Sequence, residues 1–277
     1  MAQKPDAPFA FAGSGRGDLV RTRDGYQLVA GVKESGFVQA AEALLAEAER
    51  VRRFGFTATE LQRQKTNYLR LLDQRLAERD KSESAGFAGS YVSAALTGEA
   101  LVSIAQEVTL GRALAPALTL EEVNAIARTT FTEQNRVVLV AAHDQPGVKV
   151  PDAAAMLAVF ERAGRLQLSA FVDSTNDGPL VPAPPAPGTI VSERTLPRTE
   201  ILEWTLSNGA RVMLKPTDFK ADEVLFSARS PGGASLVPDR DALNVDLGSL
   251  ALSVSGVGGF SQVALQKKLA GKAVSVS

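Results

Sequence analysis

Hydrophobic and polar positions change period several times along the chain, and each change predicts an element. From Leu19 to Lys33, LVRTRDGYQLVAGVK, the residues Tyr26, Leu28, Ala30 and Val32 alternate with Gln27, Val29 and Gly31. That is the period of a half-buried strand following a turn at Asp24-Gly25. VQAAEALLAEAERVRRFG then sets Ala41, Leu44, Leu45, Ala48 and Val51 at helical spacing and closes on Gly55, a C-terminal cap. Thr57 or Thr59 caps a longer polar helix, TATELQRQKTNYLRLLDQRLAERDK, with its apolar stripe on Leu61, Tyr68, Leu69, Leu72 and Leu76.

Further helices are predicted over Glu83 to Leu96, Leu101 to Leu110 and Leu120 to Phe131, the last opened by Thr119 and Glu122 as a capping box. The period then shifts again. RVVLVAA, Arg136 to Ala142, is β-branched and apolar and reads as a buried strand. Asp152 to Arg162 forms one more short helix in this reading. DGPLVPAPPAPGT follows with five prolines, so Asp177 to Pro197 is expected to be extended, with a boundary near residues 178 to 195. In EWTLSNGARVMLKP, Glu203 to Pro216, two alternating runs flank Ser207-Asn208-Gly209, a hairpin signal. EVLFSARS, Glu223 to Ser230, reads as a third strand. A turn at Gly232-Gly233 leads to a weak helix over Ala242 to Leu252, and the final VSVS resembles another strand.

The pattern as a whole predicts an α+β fold, with helices packed on one face of a mainly antiparallel sheet. It divides into residues 1–150, a helical α+β unit; 151–195, a short helix and Pro-rich linker; and 196–277, a hairpin, a third strand and a weak helix.

Composition narrows the chemistry. The chain has 277 residues, a formal charge of −1, no cysteine and one histidine, His143. The balanced charge offers no basic field for nucleic acid. No window reaches the roughly twenty continuous apolar residues of a membrane span, and MAQKPDAPFAF lacks the regions of a signal peptide. The chain reads as soluble, with its compartment open. Without cysteine there is no thiolate site, and one histidine excludes any zinc motif taking two histidines from one chain. His143 reads as an exposed residue at a strand exit. GSGRG, Gly13 to Gly17, lacks the Lys-Ser or Lys-Thr pair of a phosphate loop and reads as a flexible connection. SVSGVGGF, Ser253 to Phe260, has unevenly spaced glycines after a helix, so it makes a poor dinucleotide site. Glu78, Asp80 and Glu83 alternate with Arg79 and Lys81, which reads as a solvated helix end and not an acid–base pair. No catalytic, cofactor-binding or metal-binding residue is assigned.

FGFTATELQRQK (Phe54 to Lys65), ERDKSES (Glu78 to Ser84), LTLEEVNAIAR (Leu118 to Arg128), NRVVLVAA (Asn135 to Ala142) and EWTLSNGARVMLKPTDFK (Glu203 to Lys220), in this order, resemble the insulinase/pitrilysin-like zinc metallopeptidases, the inverzincins. They look most like the large bacterial members built from four homologous α+β modules. The resemblance implies that residues 1 to about 150 are the later part of one module and that 196–277 opens the next, so that the chain stops partway through a longer parent. In this family the catalytic module carries His-x-x-Glu-His on the helix after its third strand. The matching place here reads DALNVDLGSL, whose only carboxylates are Asp241 and Asp246.

The resemblance therefore implies a non-catalytic segment that helps to enclose an unfolded peptide beside a zinc module outside this chain. Its implied partners are the remaining modules of a parent peptidase and, through the parent, unfolded peptide, with zinc in the parent and none here. It also implies a periplasmic parent. The truncated module, Leu196 to Ser277, is expected to be either partly disordered or held in a self-association, and the edge of the Tyr26 to Lys33 strand can accept an extended peptide unless it is already paired. A structural or assembly module without peptidase activity, and a free-standing peptide-binding domain, remain alternatives. A His-x-x-Glu-His motif upstream in the same gene would separate the first reading from the other two.

Overall fold

The computed structural model describes residues 7–20, 22–33, 36–132 and 134–274. The order of elements is β1 (Phe9–Val20), β2 (Arg23–Val32), α1 (Phe37–Phe54), α2 (Ala58–Ala77), α3 (Ser84–Thr97), α4 (Ile104–Ala117), α5 (Leu120–Thr130), α6 (Ala153–Arg165), β3 (Ile190–Leu196), β4 (Ile201–Leu206), β5 (Arg211–Leu214), α7 (Ala242–Ser255), β6 (Gly256–Val257), β7 (Phe260–Ser261) and α8 (Gln262–Lys268). Every strand pairing is antiparallel, and the fold is α+β. The chain forms two compact units, residues 1–62 with 116–173, and residues 63–115 with 174–277.

In the first unit β1 and β2 form a long hairpin against which α1 packs. Leu28, half-buried on β2, meets a core of Leu45, Val159 and Ala163, with Val38, Ala41, Phe131, Phe160 and Leu166 around it. The expected alternation holds in part: Leu28, Ala30 and Val32 turn inward while Gln27 and Val29 are exposed, but Tyr26, expected inward, is exposed, and Gly31 is half-buried. The turn does not fall where it was expected. Asp24 and Gly25 sit in the ladder opposite Asp18 and Gly17, and the chain reverses between Val20 and Arg23. GSGRG is likewise no flexible connection but the middle of β1, with Gly13 opposite Val29 and Arg16 opposite Tyr26. Three glycines in five residues leave no side-chain alternation to read, so backbone pairing alone defines this strand. The gap also admits an aromatic ring: a Cβ on Gly31 would lie 2.2 Å from Cε1 of Phe11, its cross-strand partner.

Helices α5 and α6 complete this unit against α1. Thr119 and Glu122 form the full capping box expected, a device worth about 1 kcal/mol. Asp152 caps α6 by accepting the Ala155 N–H at 2.8 Å. The guanidinium of Arg53, at the end of α1, donates to the carbonyls of Leu166 (2.8 Å) and Gly164 (2.7 Å), which are among the orphan acceptors at the end of α6. Arg162 returns the tie by donating to Glu42 at 2.6 Å.

RVVLVAA is not a strand. Among the described residues it joins no ladder, and Val137 and Leu139 are 95% and 88% exposed. Arg136 instead stacks over Phe131 and Phe160, 4.7 and 5.1 Å from the ring centroids, which fixes the start of the segment while leaving its apolar residues uncovered. Strand propensity is realised only when a neighbour supplies a ladder.

In the second unit Leu72 of α2 is fully buried, and a Cβ added to Gly111 of α4 would lie 2.2 Å from Leu72 Cδ1, so the two helices approach through a missing side chain. Tyr68, expected on the same buried stripe, is 44% exposed. Strands β3, β4 and β5 form one sheet in that order. The hairpin around Ser207-Asn208-Gly209 forms as the sequence predicts: Gly209 adopts φ 82° and the Asn208 side chain accepts the Ala210 N–H at 3.0 Å. β3 falls inside the segment expected to be extended and linker-like, whose irregular part ends at Thr189. EVLFSARS forms no ladder, and Val224, Leu225 and Phe226 are 90%, 88% and 87% exposed. Gly232 and Gly233 make the expected turn with φ 130° and 69°, and α7 follows. Of the final VSVS, residues 275–277 lie outside the described residues, as does the Asp246 side chain.

Candidate functional site

The place where a zinc motif would stand is α7 and the turn before it. Asp241 precedes the helix and pairs with Arg240 at 3.5 Å. Among the described residues no group of three or more His, Cys, Asp or Glu side chains converges to hold a metal, and DALNVDLGSL contains neither histidine nor glutamate. His143 is exposed, as expected, although it follows no strand.

Three glutamates are sequestered instead, and the sequence pattern singled out none of them as an ion-cluster centre. Glu49 on α1 is 4% exposed and accepts from Arg52 Nε (2.7 Å) and Arg53 Nε (2.6 Å). Glu203 on β4 is 5% exposed and lies between Arg194 on β3 and Arg211 on β5. Glu78, expected on a solvated helix end, accepts the Ala221 N–H at 2.6 Å and faces Lys220 at 3.5 Å. Each carboxyl is held below its usual value. For Glu49 the Arg52 hydrogen bond leads, burial opposes it and Arg53 adds to it; for Glu203 Arg194 leads in the same way, with Arg211 adding; for Glu78 the Ala221 N–H leads, burial opposes, and Lys220 adds. A general acid working at neutral pH needs the reverse, a carboxyl pushed up. These groups are built to stay charged and to tie elements together. The Glu49 cluster was findable, since Arg52 and Arg53 stand three and four residues on along one helix. The other two depend on long-range pairings that periodicity does not show.

One edge of β2 is occupied by β1 along its length, and among the described residues no strand pairs with the other. The outer edges of β3 and β5 are likewise without a strand partner among the described residues. Such edges present unpaired N–H and C=O groups that an extended peptide can satisfy residue by residue. In the second unit an open groove of about 590 Å³ runs between Gln64, Asn67, Tyr68 and Leu71 of α2 and the segment Gln266 to Val274.

No protein-family model matches the chain. It is similar to the zinc protease PQQL-like of Arabidopsis thaliana, 27% identical over 232 residues, which is 83% of this chain and 24% of that protein. It is also similar to the probable zinc protease PqqL of Escherichia coli, 24% identical over 88% of this chain and 26% of that protein. The crystal structure of that periplasmic protease aligns with a TM-score of 0.47 at 20% identity, over 94% of this chain and 29% of the other. The ferredoxin protease FusC, solved as a variant in complex with Arabidopsis ferredoxin, shares the fold with a TM-score of 0.50 at 16% identity, over 94% of this chain and 29% of its own. The chain spans about a quarter of the length of the curated relatives it matches. Both sequence matches are named as zinc proteases, in keeping with the resemblance of this sequence to the insulinase/pitrilysin-like peptidases.

Proposed function

We propose that this chain is a non-catalytic segment of a larger zinc-dependent peptidase, supplying wall and peptide-binding surface to a chamber whose zinc module lies outside these residues. The observation that carries the proposal is the 232-residue similarity to a zinc protease four times as long, in a chain with one histidine and no cysteine. Zinc and hydrolysis then belong to the parent, and no catalytic step runs through the residues described here. Residues 1–150 would be the later part of one module, 151–195 the connection and 196–277 the opening of the next. A periplasmic parent belongs to the same reading, E. coli PqqL being described as periplasmic. No helix among the described residues is long and apolar enough to cross a membrane.

The unpaired edge of β2 is the surface best suited to an unfolded peptide. It is ten residues long, and Leu28, Ala30 and Val32 beneath it are anchored in the first unit. Titration of a fluorescein-labelled unstructured peptide, followed by anisotropy together with hydrogen exchange, tests the proposal. Saturable binding with a Kd on the order of micromolar, protection of residues 23–32 and no cleavage are expected. Chelator-sensitive cleavage by this chain alone would overturn the non-catalytic reading. Absence of binding would overturn the peptide-wall reading and favour an assembly module.

A further inference from the structure

Residues 216–230 contain no helix and no strand, yet they carry Phe219, Val224, Leu225 and Phe226, exposed by 77% to 90%. Among the described residues this segment reaches the rest of its unit by hydrogen bond or ion pair at one place, the end of α2. There Oε1 of Glu78 accepts the Ala221 N–H at 2.6 Å and Oε2 lies 3.5 Å from Lys220 Nζ. Oε2 is buried without a hydrogen bond. Glu78 follows the last residue of α2, its own N–H bonded to Gln74 O at 3.0 Å, and precedes the 3-10 turn Arg79–Lys81, so its backbone is fixed at a junction of two helical segments while its side chain reaches across to Ala221.

We propose that Glu78 is the latch of a strap, residues 216–230, and that the strap is released when this carboxylate is removed. Upstream the strap is anchored at Lys215, which donates to Thr199 O, and downstream by the turn at Gly232-Gly233. Between these anchors the Glu78 to Ala221 bond divides it into two short arms, the second holding the strand-prone EVLF run. The Ala221 N–H leads in holding the carboxyl below its usual value, burial opposes it, and Lys220 and Lys81 add to it, so the contact favours the ionised carboxylate. The proposal is independent of the peptidase reading.

Chymotryptic cleavage and hydrogen exchange on the full chain test it through two variants that open the same bond from opposite sides. Glu78→Ala removes the acceptor and Ala221→Pro removes the donor. Both are expected to speed chymotryptic cleavage at Phe219 and Phe226 about tenfold, and Glu78→Ala to speed exchange of the Ala221 amide, while residues 60–76 of α2 exchange as in the wild type. Unchanged cleavage at Phe219 and Phe226 in either variant, with helix content by circular dichroism unchanged, would overturn the latch. Faster exchange over α2 accompanying the faster cleavage would also overturn it, because Glu78 would then be stabilising the helix and not holding the strap.

Discussion

Arg194 on β3 and Glu203 on β4 stand directly opposite each other, with the Arg194 Nε and Nη2 3.0 and 2.7 Å from Glu203 Oε2. Arg211, on β5, donates to Oε1 of the same carboxylate at 3.0 Å, so one buried anion links all three strands of the sheet. The hydrogen bonds from Arg194 lower the Glu203 value below 4.5, burial opposes the shift and Arg211 deepens it. A carboxyl lower in the folded than in the unfolded state contributes stability that is fully present above the unfolded value and is lost as pH falls through the folded one. Glu203→Gln is therefore expected to lower the melting temperature near neutral pH, and the gap from the wild type is expected to close below about pH 4. Melts followed by circular dichroism across that range check this, and a gap independent of pH would contradict it.

Glu49 makes the corresponding tie in the first unit, holding Arg52 and Arg53 while Arg53 also reaches the end of α6. Glu49→Ala removes the buried carboxylate that both guanidinium groups share and is expected to cost about 2 kcal/mol. Arg52→Ala should cost less, because Arg53 still satisfies the carboxylate. Urea unfolding of the two variants measures both, and a neutral Glu49→Ala would show that the cluster contributes nothing net.

The chain alone is expected to bind no stoichiometric zinc and to cleave no peptide, since zinc sites draw on histidine, cysteine or converging carboxylates. Metal analysis of protein prepared without chelator checks this. One zinc per chain, lost in His143→Ala, would contradict it.

Val224, Leu225 and Phe226 form an apolar run without a ladder, which favours strand pairing between copies. Concentration-dependent association is expected, and Leu225→Lys should weaken it at least about tenfold, because a charge on such a run opposes both burial and edge pairing. Sedimentation across a concentration series reads the outcome, and a wild type that stays monomeric throughout would refute it.

The helices up to α7 were legible because their signals are local, whereas α8, capped by Ser261, was not read although its cap is equally local. The Thr119 and Glu122 box, Gly55 after α1 and Asp152 before α6 each act within one turn of the helix they bound. Strands were legible only where side chains alternate and a turn residue lies nearby, as around Asn208-Gly209. β1 stayed hidden because Gly13, Gly15 and Gly17 show no alternation, and β3 because it follows directly on the proline run. RVVLVAA and EVLFSARS failed in the opposite way, having strand propensity without a strand to pair with. Propensity belongs to a segment, whereas a ladder belongs to two. The absence of two-histidine zinc chemistry could be read from a count, but no period pointed to Glu78 or Glu203, whose partners lie on other elements.

The contact between Gly111 and Leu72 sets how this protein can vary. A methyl group at Gly111 would lie 2.2 Å from Leu72 Cδ1, so it fits only if that buried side chain turns away, with Tyr68 Oη 3.2 Å from the same point. Two exposed neighbours on the same helix, Leu110 and Leu114, are under no such restriction. In a library of all single substitutions α4 should therefore show one position that rejects even alanine, flanked by leucines that accept nearly any polar residue, so that the residue contributing no side chain is the least replaceable on the helix.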